Sequence, residues 1–185
     1  MIITHQREKL INAMIYFADH TKYCGKTKIL KLLYFLDFCH FKQTGKSVTG
    51  LEYFAWKMGP VPKELYEELS NNAGLDLKSA IDVVSYDDFR KIAPRRKFNK
   101  ECFTKRELRL LENLSFIFRD AQVQEMIEAT HLKNEPWDRT LKEKGPFSKI
   151  DYLLSIDSLP DSLPYDVARE RAQEISEMHE LFGAA

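Results

Sequence analysis

A mainly α-helical fold with a small antiparallel β-sheet is what this 185-residue chain predicts, and three observations carry that expectation. The stretch Lys26–Phe41, KTKILKLLYFLDFCHF, is apolar almost all round when wound at about 3.6 residues per turn. Ile29, Leu32, Leu33 and Leu36 form one stripe, Leu30, Tyr34, Phe38 and Phe41 a second, and Lys28 and Lys31 a narrow polar seam between them. A helix of that kind is a buried one. The second observation is a set of amphipathic helical repeats on both sides of it, and the third is a pair of short β-like runs, LEYFAW and IDVV.

Taken in order, Leu10, Ile11, Met14, Phe17 and Ala18 share one face of a first helix over residues 5–19, with Thr4 as its N-cap. Gly25 and Thr27 suit a stop and a new start before the central helix, and the glycines of KQTGKSVTG predict a turn after it. Leu51, Tyr53 and Ala55 then alternate with Phe54 and Trp56 as on a strand. Gly59-Pro60-Val61-Pro62 is expected to end that strand in a stiff elbow, because proline fixes φ and lacks an amide donor. Pro62 is placed as the first residue of a helix carrying Leu65, Tyr66 and Leu69.

Residues 71–76 read as loop, and 80–86 as a strand paired with 95–98 or with the earlier strand. Thr104 and Glu107 match a capping box ahead of Leu108, Leu111, Leu114 and Phe118. Asp120 is the candidate cap of a helix burying Val123, Met126, Ile127 and Thr130 and ending at His131, and 136–144 predicts a further short helix closed by Gly145-Pro146. KIDYLLSI fits a helical turn or a strand equally well. Residues 1–157 are read as one body, with 158–185 as linker and a last amphipathic helix packed on it through Ala168, Ala172, Ile175, Met178 and Phe182.

Basic and acidic residues balance at 28 each, so no global field drives the chain to nucleic acid or membrane. The balance hides a basic stretch from Arg90 to Arg109 and an acidic tail from Asp151, expected to complement each other within the molecule. Three cysteines at no metal-ligand spacing and an N-terminus without a charged segment followed by an apolar run predict a reduced, cytoplasmic chain with no membrane anchor.

Enzymatic signatures are missing: the chain has no Gly-rich phosphate loop, GxSxG elbow, HExxH or paired CxxC. No catalytic residue, cofactor or metal is therefore assigned, and Cys24, Cys39, His20 and His40 are a weak zinc set. His131 has two readings: a helix-end histidine bonding the last carbonyls, or half of a partner-binding or catalytic pocket with Trp137. Trp56 and Trp137 are corner anchors or interface anchors. A winged-helix arrangement would use RRKFNK as a strand and set Arg95, Arg96, Lys97, Lys105, Arg106 and Arg109 against phosphates, as in a DNA-binding transcriptional regulator.

KILKLLYFLDF, FAWKMGPVPKELYEEL and ATHLKNEPW, in this order and at these intervals, resemble the Panacea domain family, also described as SocA-like or phage-associated. The likeness spans Leu10 to Trp137 and rests on Lys31, Leu32, Leu33, Tyr34 and Phe35, on Trp56, Gly59, Pro60, Val61, Leu65 and Tyr66, and on Thr130, His131, Pro136 and Trp137. It implies a bacterial or phage cytoplasmic antitoxin, mostly helical with a small sheet, that binds and neutralises a cognate protein toxin. One member of the family delivers its toxin to a AAA+ protease, and the small apolar end Leu181-Phe182-Gly183-Ala184-Ala185 resembles the ends such machines pull on. Operator DNA is the remaining partner class, through the basic 90–109 region. The helix beyond Pro164 departs from the simplest family members.

Overall fold

The computed structural model describes residues 4–71, 73–86 and 89–182, and the fold is built around one helix. This central helix, α2 (Lys26–Thr44), is preceded by α1 (His5–His20), which starts where Thr4 Oγ1 accepts the Arg7 amide. Glycine ends α2 as the sequence suggests: Gly45 adopts φ +72°, and its amide donates to the Phe41 carbonyl. Ile29, Leu32, Leu33 and Leu36 are fully buried, and Leu10, Ile11, Met14, Ile15 and Phe17 of α1 belong to the same core. The polar seam does not face water, since Lys28 and Lys31 are 0% and 1% exposed. Lys28 aims its ammonium at carbonyls of the flanking turns and Lys31 at the Pro60 carbonyl, an arrangement that helical periodicity cannot reveal.

Gly59-Pro60-Val61 does not end the sheet; it is a strand. β1 (Phe54–Trp56) and β2 (Gly59–Val61) form an antiparallel hairpin in the register Phe54↔Val61, Ala55↔Pro60, Trp56↔Gly59. Proline is tolerated because β2 has β1 on one side only. On its other side β1 takes residues 147–150: the Phe147 amide donates to Ala55 O, the Ala55 amide to Ser148 O and the Ile150 amide to Tyr53 O. KIDYLLSI is thus extended in its first part and a 3-10 turn at Tyr152–Ser155 in its second, so both readings are partly right. Pro62 sits one position before α3 (Lys63–Asn71), its carbonyl accepting the Tyr66 amide.

A short helix α4 (Leu75–Ala80) begins inside the stretch expected to be loop, burying Leu77 and Ala80. The second hairpin pairs β3 (Ile81–Tyr86) with β4 (Phe89–Pro94), not with 95–98. Its apolar contact with the core runs through Ile81 and Ile92, whereas Arg95-Arg96-Lys97 is charged on every position and stays exposed. The RRKFNK strand that a winged helix requires is therefore absent.

α5 (Lys105–Ile117) starts with both halves of its capping box made: Thr104 Oγ1 accepts the Glu107 amide, and Glu107 Oε2 accepts the Thr104 amide at 2.7 Å. Glu107 also pairs with Lys9 at 2.6 Å, tying α5 to α1. Thr104→Ala is expected to cost about 1 kcal/mol of unfolding free energy, read from a urea transition, because one helix-end amide loses its acceptor.

α6 (Val123–Thr130) is capped by Gln122 with Glu125 rather than by Asp120, which instead meets Lys22 at 2.7 Å on the surface. α7 (Pro136–Lys144) follows with proline in its first turn, as expected.

The linker after Ile156 is held by Lys42, which contacts Asp157 at 2.8 Å and Asp161 at 3.4 Å, and by the Leu163 amide on Lys42 O. α8 (Tyr165–Phe182) packs on the body through Ala168, Ala172 and Ile175. Ala168 is fully buried and Ala172 and Ile175 half-buried, but Met178 is 58% exposed; the side chain of Phe182 and residues 183–185, the proposed protease-accessible end, lie outside what is described. The expected pairing of acidic tail with basic stretch is replaced by separate contacts, since Arg95 meets Asp82 and Arg96 meets Glu8. No helix among the described residues is long and apolar enough to cross a membrane.

Candidate functional site

Three distant pieces of chain meet where the β1–β2 hairpin lies over α2. Gly59 adopts φ +97°, a conformation that lets the chain enter β2 with no side chain below it. The space under it is taken: a Cβ placed there would lie 2.5 Å from Lys31 Nζ, 2.7 Å from Thr130 Oγ1 and 3.1 Å from His131 Nε2. Lys31 Nζ donates to Pro60 O at 2.9 Å, which fastens the hairpin to the central helix. Thr130 Oγ1 donates to Ile127 O at 2.9 Å inside α6.

His131 follows directly, at the C-terminal cap of α6, and its ring stacks face to face on Trp137 with 3.8 Å between centroids and 2° between planes. It does not bond the last helical carbonyls through its side chain; its Nε2 is buried without a hydrogen-bond partner. His131 and Trp137 are therefore in direct contact. Trp137, held at the start of α7, donates from Nε1 to Trp56 O at 2.9 Å and so clasps the hairpin from the other side. Tyr34 lies beneath, in an aromatic cluster with Phe38 and Tyr53 at centroid distances of 4.3 and 5.5 Å.

The outer face is open. A cavity of about 390 Å³ is lined by Thr27, Leu30, Lys31, Trp56, Lys57, Met58, Val61, Tyr66 and Phe147. Trp56 sits between Tyr66 and Phe147, 5.0 and 6.0 Å away, and Lys26 Nζ lies 3.3 Å over the Tyr66 ring. Met58 and Phe147 are 53% and 68% exposed, so this aromatic and methionine surface reaches solvent around a concave centre. Its composition is that of interface hot spots.

Electrostatically the site is starved of counter-charge. Burial pushes Lys31 down to about 7, and burial together with the Lys31 charge holds His131 below its ordinary range. Burial raises the Tyr34 hydroxyl far above normal, so it stays protonated. Among the described residues no three His, Cys, Asp or Glu side chains gather as a metal-holding cluster. His40 instead contacts Lys46 O through Nδ1 at 2.7 Å, and Cys24 is buried with its thiol pushed up to about 11.

A family model described as antitoxin SocA-like, Panacea domain, matches residues 29–138, more than half of the chain. The chain belongs to that family. Searches of curated proteins and of solved structures returned no match. The Panacea match opens at the first buried turn of α2 and closes one residue after Trp137, so α1 lies before it and α8 beyond it. Of the fifteen residues that carry the likeness, eight candidates for the family motif or a partner interface, Lys31, Tyr34, Trp56, Gly59, Pro60, Tyr66, His131 and Trp137, lie within the Panacea match and around this one hairpin.

Two members of the site escaped sequence reasoning, Met58 and Phe147. Phe147 follows the Gly145-Pro146 helix stop and takes φ +64°, and an aromatic directly after such a stop was the available signal. The basic candidates are elsewhere: none of Arg95, Arg96, Lys97, Lys105 or Arg106 lines the cavity. Arg95 pairs with Asp82 at 2.9 Å, Arg96 with Glu8 at 2.7 Å, and Arg106 donates to Gln43 at 3.2 Å, leaving Lys97 and Lys105 exposed without an ion pair among the described residues.

Proposed function

We propose that this Panacea-domain chain is an antitoxin that neutralises a cognate protein toxin by binding it directly, with the face around Trp56, Met58, Tyr66 and Phe147 as the contact surface. The observation that carries the reading is the convergence of the family motif on one hairpin whose outer side is an exposed aromatic and methionine patch. Neutralisation of this kind needs no chemistry from the antitoxin; covering the toxin's active surface takes an interface of about 800 Å² per partner. The aromatic rings supply rigid area whose ordering costs little, and the clasp from Trp137 to Trp56 keeps that area in one shape before the partner arrives.

Co-expression with the product of the adjacent gene tests the reading. The expected result is a stable co-purifying complex and restored growth of cells that the neighbour alone poisons. Tyr66→Asp with Phe147→Asp should weaken the complex by about a hundredfold and abolish rescue, with little change in melting temperature because both rings are partly exposed. Absence of both complex and rescue with the unaltered chain would overturn it. Delivery to a AAA+ protease and binding of operator DNA stand as subsidiary proposals. The first predicts that the toxin is degraded only when the antitoxin is present, and the second predicts promoter binding that falls steeply with salt.

A further inference from the structure

The molecule buries two lysines on α2, and they are satisfied very differently. Lys28 Nζ has three carbonyls around it, Lys22 O at 2.7 Å, Ala121 O at 2.6 Å and Arg119 O at 3.4 Å. An ammonium has three N–H groups to place, so Lys28 is complete, a structural pin between α2 and the turn after α5. Lys31 is equally buried at 1% exposure but has one acceptor, Pro60 O, and no carboxylate within ion-pair distance among the described residues. The neighbouring buried nitrogen, His131 Nε2, gives it nothing and lacks a partner itself.

An under-satisfied ammonium is costly to bury, and a hydrophobic side chain would fit a purely structural position better. Lys31 lines the cavity whose walls are Leu30, Val61, Trp56, Tyr66 and Phe147 and whose other charged wall is Lys57, with no acidic residue among the described residues that line it. Lys26 is already engaged, over the Tyr66 ring and on Ser70 Oγ, and is not among the residues lining the cavity, and Lys57 is exposed. Among the described residues lining the cavity, Lys31 is therefore the one buried cation, with two N–H groups that have no acceptor. That matches a single carboxylate; a phosphate dianion is held by several cations or a row of backbone amides.

We infer that the cavity receives an acidic side chain of the toxin, carried next to an apolar residue that packs on Trp56 and Tyr66, and that Lys31 is the counter-charge it meets. This rests on the toxin-binding reading and adds the chemistry of the toxin segment that docks. In the free chain Lys31 is largely neutral at pH 8; against a carboxylate it regains its proton. The titratable groups beside it are His131 from the end of α6 and, along the cavity, Tyr66 from α3 and Lys57 from the hairpin turn. His131, held below its ordinary range, is neutral at that pH and does not contribute.

The test uses the full chain and its co-expressed toxin. Titration calorimetry at pH 8 in two buffers of different ionisation enthalpy should show uptake of about one proton on binding, and the Lys31 amino resonance should titrate at higher pH in the complex than in the free chain. Lys31→Met should fold with an equal or higher melting temperature, bind the toxin at least about tenfold more weakly, and take up no proton. A complex that forms without proton uptake, leaves the Lys31 titration unmoved and is equally tight with Lys31→Met overturns the inference while toxin binding stands. Failure of any complex to form removes both together.

Discussion

Asp37→Ala is expected to lower the unfolding free energy by about 3–5 kcal/mol. The carboxylate sits fully buried in the middle of α2 and accepts four hydrogen bonds: from the Val48 and Thr49 amides at 2.8 Å each, from Thr49 Oγ1 at 2.5 Å and from Tyr53 OH at 2.8 Å. Those bonds bend the loop after α2 back over the helix and set Tyr53, the residue before β1. Alanine strands two backbone amides in the core, and amides, unlike hydroxyls, cannot rotate to another acceptor. Asp37→Asn should cost far less, about 1 kcal/mol, since its carbonyl can take both amides while its NH₂ donates to the two hydroxyls.

The same carboxylate sets a pH dependence. Burial pushes Asp37 up to about 6 against the pull of its four donors. The folded chain then binds this proton more tightly than the unfolded chain, whose aspartate titrates near about 3.9. Asp37's contribution to stability is therefore greatest below about pH 4 and declines as pH rises to 6, by an amount on the order of 3 kcal/mol. Lys31, pushed down to about 7, acts in a separate window: its burial penalty is full below pH 7 and is relieved as pH rises toward about 10.4. Denaturant midpoints across pH 4–10 should show the acid-side decline vanish in Asp37→Asn and the alkaline gain vanish in Lys31→Met.

Gly59→Ala should cost about 2–4 kcal/mol and also abolish toxin binding. At φ +97° any Cβ is strained whatever the surrounding space, and here it would press on Lys31 Nζ and Thr130 Oγ1. The added methyl is wedged against Lys31 Nζ and Thr130 Oγ1, both fixed in the buried floor, and so pushes the hairpin away from α2 and α6. Circular dichroism melts and pull-down of the toxin read the two effects. A Gly59→Ala chain with unchanged melting temperature and full binding would show that the close approach of hairpin and helix is not needed.

Local signals in the chain were enough to place α1, α2, α5, α6 and α7, because each announces itself within a turn or two: Thr4 and Thr104 as caps, Gly45 and Gly145 as stops, Pro136 at a first turn. Misreadings occurred where a distant neighbour decided. Pro60 was expected to end a strand and lies in one, because the free side of β2 asks nothing of its missing amide. The last helix was expected to face the body with Ala168, Ala172, Ile175, Met178 and Phe182, and of the described side chains Met178 is exposed. RRKFNK was expected to extend the sheet and does not, because Phe89–Pro94 already supplies the partner of β3.

The candidate site divides in the same way. The resemblance to the Panacea domain put Lys31, Trp56, Gly59, His131 and Trp137 in one family motif, but did not say how they meet. The order of residues sets which side chains are available and how each short segment coils or extends, since those depend on neighbours a few positions apart. Which of two buried lysines is left with unused donors, which ring of His131 and Trp137 faces which, and whether a cavity opens above them depend on atoms up to about 100 positions away in the chain. Such contacts are set by the packing of whole elements against one another, and that packing has no period a local pattern can carry.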